Sequence, residues 1–289
     1  MIGVEGASRP VASARRRSAL RLIRRPTARI GALIVLVFLL VTVAAPVIVP
    51  YGPLDADFLQ PLAPPSAAHL LGTDQYGRDL LSRVIYGSRT ALMSILVADG
   101  IALVLGSALG LVAGFYAGRI DGLIMRLMDV LLAFPYLLLA LIIVAALGPS
   151  LLNSMIAIGI VYTPQYARLI RGQVLAVKAQ DFVQAAEALG AGRMRLMLRH
   201  ILPNSFTPIL VMATLQAGTV VVETAGLSFL GLGAQPPSPD WGATLADGQG
   251  YFLTAWWIAT FPGLAILIVV LGFNLLGDAL RDHFDPRRR

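Results

Sequence analysis

The chain has 289 residues, of which 57% are hydrophobic and 13% charged, a formal net charge of +7, and no cysteine. Its mean hydropathy is +0.75. A charged fraction about half that of a soluble globular domain excludes a water-soluble monomer, and the missing cysteines exclude disulfides, thiolate metal sites and a cysteine nucleophile.

Residues 1–29 form a basic tail carrying eight arginines. It reads as a membrane-surface segment and topology signal rather than a nucleic-acid-binding arm. The first apolar run, Ile30–Val49, is long enough to cross a hydrocarbon core that needs about 20 helical residues. Arg15-Arg16-Arg17 and Val43-Ala44-Ala45 also outline a signal peptide. Pro46, directly after the small residues, together with the length of the run, favours an uncleaved anchor over residues 30–50.

Residues 51–90 make the first extracytoplasmic loop. Following Pro50 it begins with Pro53, Pro61, Pro64 and Pro65, which stiffen it, and ends in Asp79–Arg89, whose pattern predicts an amphipathic helix lying at the outer interface. Residues 91–280 hold the core, with further spans expected near Ala91–Phe115, Leu123–Leu147, Leu151–Ile170, Ser205–Leu230 and Trp256–Gly277. The expected fold is therefore an all-α integral membrane protein of six spans. A second loop, about Gly231–Ala255, separates the last two, and residues 281–289 form a short tail.

Within the spans, Gly106, Gly110 and Gly114 recur every four residues on one helix face and predict close helix packing. Pro135, Pro164 and Pro262 predict kinks. Asp99 and Glu223 are ionisable residues at membrane depth without a basic residue in their own spans. Each is a candidate for the solute path or a gate, and an interhelical hydrogen bond would satisfy either equally well.

Orientation follows from the basic residues. With both termini cytoplasmic, 20 of the 23 lysines and arginines lie on the inside and only Arg78, Arg83 and Arg89 lie outside, as the positive-inside rule requires. The chain has no phosphate-cradling Gly-x-x-x-x-Gly-Lys-Ser/Thr loop, no zinc-binding His-Glu-x-x-His and no Gly-x-Ser-x-Gly nucleophile elbow. His69, His200 and His283 fall in three different segments, which argues against a shared metal site. No catalytic, cofactor or metal residue is assigned, and any ATP hydrolysis belongs to another polypeptide.

The most informative stretch is the polar, helix-forming segment 178–203. Asp181 to Leu189 predicts a short helix with Phe182, Val183, Ala185, Ala186 and Leu189 apolar; Gly190 permits a sharp turn; Ala191 to Ile201 predicts a second helix. Small Ala185, Ala186 and Gly190 leave room for a partner, and Arg193, Arg195 and Arg199 offer charges to acidic groups. On the residues alone, a docking elbow and an amphipathic helix on the inner leaflet are both open.

Gln184-Ala185-Ala186, Gly190 and His200-Ile-Leu202-Pro203 resemble the "EAA" loop of binding-protein-dependent ABC importer permeases, Glu-Ala-Ala, three residues, Gly, nine residues, Ile-x-Leu-Pro. Gln184 stands for the glutamate and His200 for the isoleucine, while Glu187 follows the alanine pair. Leu71-Gly-Thr-Asp-Gln-Tyr-Gly-Arg-Asp, Glu223-Thr-Ala-Gly-Leu-Ser-Phe-Leu-Gly-Leu-Gly233 and Asn274-Leu-Leu-Gly-Asp-Ala-Leu-Arg-Asp-His-Phe-Asp-Pro286 look like the C-type permease of dipeptide, oligopeptide and nickel importers.

The resemblance implies the type I importer permease fold in a bacterial or archaeal cytoplasmic membrane. It also implies a second, homologous permease, two cytoplasmic ATPases or a fused one, and an extracytoplasmic solute-binding protein. ATP and magnesium would sit on the ATPases. Gln184, Ala185, Ala186, Glu187, Gly190, Arg193, Arg195 and Pro203 would form the ATPase coupling loop. The expected cargo is a short peptide, with a nickel chelate or glutathione as alternatives. An ATP-independent transporter or channel is the reading from a different class; such a protein would usually show internal repeats, and none is evident.

Overall fold

The computed structural model describes residues 26–284. Most of the basic tail and the final arginines Arg287, Arg288 and Arg289 lie outside the described residues. The fold is helical: α1 Pro26–Ile48, α2 Leu80–Tyr116, α3 Gly118–Leu132, α4 Tyr136–Leu147, α5 Leu151–Lys178, α6 Asp181–Ala188, α7 Phe206–Phe229, α8 Trp241–Gln249 and α9 Trp257–Phe284.

Four helices, α1, α2, α7 and α9, are long and apolar enough to cross a membrane, and α3 with α4 makes a fifth candidate bent by 92°. The kink expected at Pro135 within the span Leu123–Leu147 is a full break between two helices. Pro135 has no N–H to continue the helix and disfavours helical backbone at Phe134, so α3 stops at Leu132 and α4 begins after the proline. Pro164 and Pro262, by contrast, sit inside α5 and α9, which continue through them.

A correction concerns residues 79–89. They are the opening turns of α2, not a separate helix at the interface; the helix starts on the Asp79 cap and runs on to Tyr116. A five-residue π segment, Ile95–Asp99, lies between its two α-helical parts.

Helix α5 occupies the centre. Fourteen of its 28 residues are buried, and its cations are paired rather than enclosed, with exposed Arg168 on Asp129 and Arg171 on Asp121 of α3. Its main neighbour is α2. A Cβ at Gly106 would lie 2.4 Å from the Cβ of Tyr166, one at Gly110 2.4 Å from the carbonyl oxygen of Ala167, and one at Gly114 2.8 Å from the Cβ of Val174. The bare glycine face lets the two backbones meet. Around it pack Ala98, Ala102, Ala140, Val144, Ile158 and Val220.

Helix α1 closes the opposite flank. Phe38 meets Phe273 of α9 edge-on with ring centroids 6.1 Å apart and Trp241 of α8 at 6.4 Å. Beyond α1, the loop 49–79 and the segment 230–256 fold onto each other and onto the start of α2. Asp74 accepts from Arg78 Nε at 2.6 Å and lies 3.5 Å from Arg83 Nε. His69 Nδ1 is 2.9 Å from Asp79, and the Trp257 indole donates to the carbonyl of Thr73 at 3.0 Å. Buried charges so paired form a single locked unit at one end of the bundle.

Candidate functional site

At the far end of α2 from that unit, the chain folds into the elbow 181–204. Helix α6 ends at Ala188, and Gly190 takes φ +84°. Its N–H donates to the carbonyl of Glu187 at 2.9 Å, and the Ala191 N–H donates to the carbonyl of Ala186 at 3.0 Å. This paired closure is the Schellman arrangement, which turns the chain sharply and needs a left-handed residue at the position Gly190 holds. A Cβ on Gly190 would meet nothing within 4 Å. Backbone conformation, not crowding within this chain, therefore accounts for the glycine.

The second arm differs from the expected Ala191–Ile201 helix. Gly192 is extended, helical turns begin at Arg193, and Leu196–Ile201 winds as a π segment before Leu202–Asn204. Val183, 2% exposed, anchors the first arm against Leu111, Phe115, Val174 and Val177, while Leu196, Met197 and Ile201 anchor the second. What faces outward is Phe182, Gln184, Ala185, Glu187, Gly190, Arg193, Arg195 and Pro203, together with Leu189 at 89% exposure and Met194. Ala186 is half-buried. Neither Glu187 nor Arg193, Arg195 or Arg199 makes an ion pair among the described residues. A rigid elbow thus presents an apolar tip flanked by unpaired charges.

Charge and hydrogen bonding fasten the base of the elbow to the bundle. Lys178 donates to the carbonyl of Phe115 at 2.7 Å, a cation satisfying the C-terminal end of α2. Arg171 grips Asp121 of α3 with Nε and Nη2 at 2.5 and 2.6 Å, and Arg168 reaches Asp129 at 2.5 Å. The sequence reading missed these α3–α5 pairs; the separations of 50 and 39 residues give no local pattern to detect.

The two intramembrane carboxylates find tyrosines one turn apart on α5. Tyr166 donates to Asp99 at 2.5 Å and Tyr162 to Glu223 at 3.3 Å. Asp99 is buried in the α2–α5 contact, whereas Glu223 remains half-buried. The structure does not bring the two carboxylates into one site: each has its own tyrosine and its own helix. Between α5, α7 and α9 opens a cavity of about 800 Å³ lined by Leu169, Gln173, Asn204, Met212, Leu215 and Arg281. Among the described residues no cluster of His, Asp or Glu is arranged to hold a metal.

Long apolar helices around a cavity, with an elbow at one end, define a multi-pass membrane subunit. Residues 106–289 match the family described as binding-protein-dependent transport system inner membrane component, and residues 13–65 match the N-terminal TM domain of oligopeptide transport permease C. The chain belongs to that family of inner membrane components. It is 48% identical over 257 residues to a probable D,D-dipeptide transport system permease protein of Escherichia coli, covering 89% of this chain and 86% of the relative. It is 42% identical over 266 residues to the dipeptide transport system permease protein of Haemophilus influenzae, covering 90% of each. In fold it is similar to an inward-facing structure of the MetNI methionine ABC transporter, with TM-score 0.59 and 17% identity over 71% of this chain and 98% of that one.

Proposed function

We propose that this chain is one permease half of an ATP-driven importer for short peptides. It crosses the membrane six times, through α1, α2, the bent pair α3–α4, α5, α7 and α9, with both termini in the cytoplasm. The observation that carries this reading is the elbow: a Schellman-closed turn with Gly190 and Leu189 outermost, anchored beneath by Val183, is a shape made to be received by another protein. Relatives at 42 to 48% identity are dipeptide, D,D-dipeptide and di/tripeptide transport permeases, which supports short peptides as the cargo class.

In the proposed cycle the elbow, from Gln184 to Pro203, sits in a cleft of a cytoplasmic ATPase. ATP and magnesium are held there and not by this chain. Closure of two ATPases moves the elbow, and the bundle rocks as a body so that a path between this chain and a homologous permease opens alternately to each side. An extracytoplasmic binding protein delivers the peptide to the unit built by loops 49–79 and 230–256. Glu223 and Asp99 are the path or gate candidates, and membrane lipid surrounds the rest. Glutathione is a second reading of the cargo, supported by a glutathione transport permease of Pectobacterium atrosepticum at 41% identity.

The test is uptake by proteoliposomes holding this chain, the second permease, the ATPases and the binding protein. ATP-dependent accumulation of a labelled dipeptide is expected. Accumulation of glutathione but not dipeptide would replace the cargo, and uptake without ATP would overturn the reading.

A further inference from the structure

Glu223 sits within a small polar and aromatic group that packing alone does not require. It lies seven residues, two helical turns, after Gln216, so both side chains occupy one face of α7. Tyr162 of α5 stands between them: its hydroxyl donates to Glu223 at 3.3 Å, and the Gln216 carboxamide lies beside the same hydroxyl. Tyr136, the first residue of α4 after the break, stacks on Tyr162 with ring centroids 5.6 Å apart and planes at 21°.

Two members have unused binding capacity. Gln216 is 7% exposed, yet its Nε2 has no hydrogen-bond partner of good geometry. A buried amide donor left unserved carries a desolvation penalty unless a ligand meets it. Glu223 pairs with no cation among the described residues and has one hydroxyl for its two oxygens. Asp99 provides the contrast: it is buried against Tyr166 inside the α2–α5 contact. The Glu223 group is also reachable, with Tyr136 41% exposed and Glu223 only half-buried.

We propose that Glu223, Tyr162, Tyr136 and Gln216 form a station that receives the N-terminal ammonium of a passing peptide. A carboxylate with one oxygen unserved, at the hydroxyl edge of a tyrosine, is the chemistry that binds a primary ammonium by charge-assisted hydrogen bonds. The Nε2 of Gln216, poorly aligned on the Tyr162 hydroxyl, is a donor, which an ammonium cannot use; it fits the first peptide carbonyl, next to that ammonium in every peptide. The station holds its cargo by one charge and one hydrogen bond, weakly enough to release it onward. This inference rests on the peptide-importer reading above.

The experiment uses the complete complex in proteoliposomes, with alanylphenylalanine as cargo and uptake and ATP hydrolysis measured together. Glu223→Gln should lower the peptide moved per ATP hydrolysed about tenfold, the scale of a lost hydrogen bond to a charged group. Glu223→Asp, which keeps the charge, should restore at least half. In the wild-type complex a dipeptide with a photoreactive N-terminal side chain should crosslink during turnover to Tyr136, Tyr162 or residues 216–223. Equal coupling in wild type and Glu223→Gln would overturn the station, as would equal loss in the Gln and Asp variants or crosslinks confined elsewhere. A wild-type complex that moves no dipeptide would instead sink the peptide reading itself.

Discussion

Arg83 Nη2 donates to the backbone carbonyl of Ser238 at 3.2 Å, joining residues 155 positions apart. The same guanidinium reaches the carbonyls of Pro53 and Pro237 at 3.3 and 3.4 Å and the hydroxyl of Thr244 at 3.3 Å, all while only 2% exposed. One side chain thus ties the loop after α1, the segment before α8 and α8 itself to the first turn of α2.

Removing that tie leaves several acceptors unserved. Arg83→Met should destabilise the protein by about 3–5 kcal/mol, the range for breaking a buried charged network from one side. Arg83→Lys should recover part of it, because an ammonium keeps the charge and loses the planar fork. Thermal unfolding of the detergent-purified chain measures both; an Arg83→Met protein as stable as wild type would show that the carbonyls are served by water.

The glycine face of α2 gives a prediction with an internal control. Gly110→Leu forces a side chain into the Ala167 carbonyl, and overpacking of this kind costs about 1–3 kcal/mol or more. Gly122→Leu on α3, where a Cβ meets nothing within 4 Å, should be neutral or slightly stabilising. The difference in unfolding temperature between the two variants reads the α2–α5 contact directly.

At the elbow, conformation and crowding are separable. Gly190→Val strains a left-handed position by about 1–2 kcal/mol. Gly190→Asn tolerates that conformation far better and still adds bulk. If an ATPase surface approaches the turn closely, both variants should lose ATPase association in pull-downs while the membrane part stays folded. Full association of Gly190→Asn would mean that the turn matters for its shape alone.

Topology is tested with single cysteines. Ser66 and Ser238, on the two segments joined by Arg83, should react with an impermeant thiol reagent in intact cells, and Ser13 and Ala191 should be protected. The reverse pattern would invert the chain in the membrane.

Local chemistry was legible in the sequence; distant pairing was not. The four-residue spacing of Gly106, Gly110 and Gly114 and the turn at Gly190 follow from periodicity and backbone preference, which act within a few residues. The break at Pro135 was expected as a kink, but a lone proline does not state a 92° angle. Residues 79–89 read as an interfacial helix because their pattern is amphipathic. The structure instead hides Arg83 among carbonyls contributed from the other end of the chain. For the same reason the tyrosine partners of Asp99 and Glu223 were invisible: they lie 67 and 61 residues away.

The continuity of α2 has a mechanical consequence. At 1.5 Å per residue its 37 residues make a rod of about 55 Å. Its foot, at Leu111 and Phe115, rests on the packing beneath the elbow, and its head is clamped through Arg83. Such a rod does not shorten under load. A pivot of about 5° on the π segment, about 25 Å from the head, moves the head by about 2 Å, so a thrust delivered at Val183 reappears as a lateral stroke at the clamp. The π turn Ile95–Asp99, where the winding changes, is the natural fulcrum.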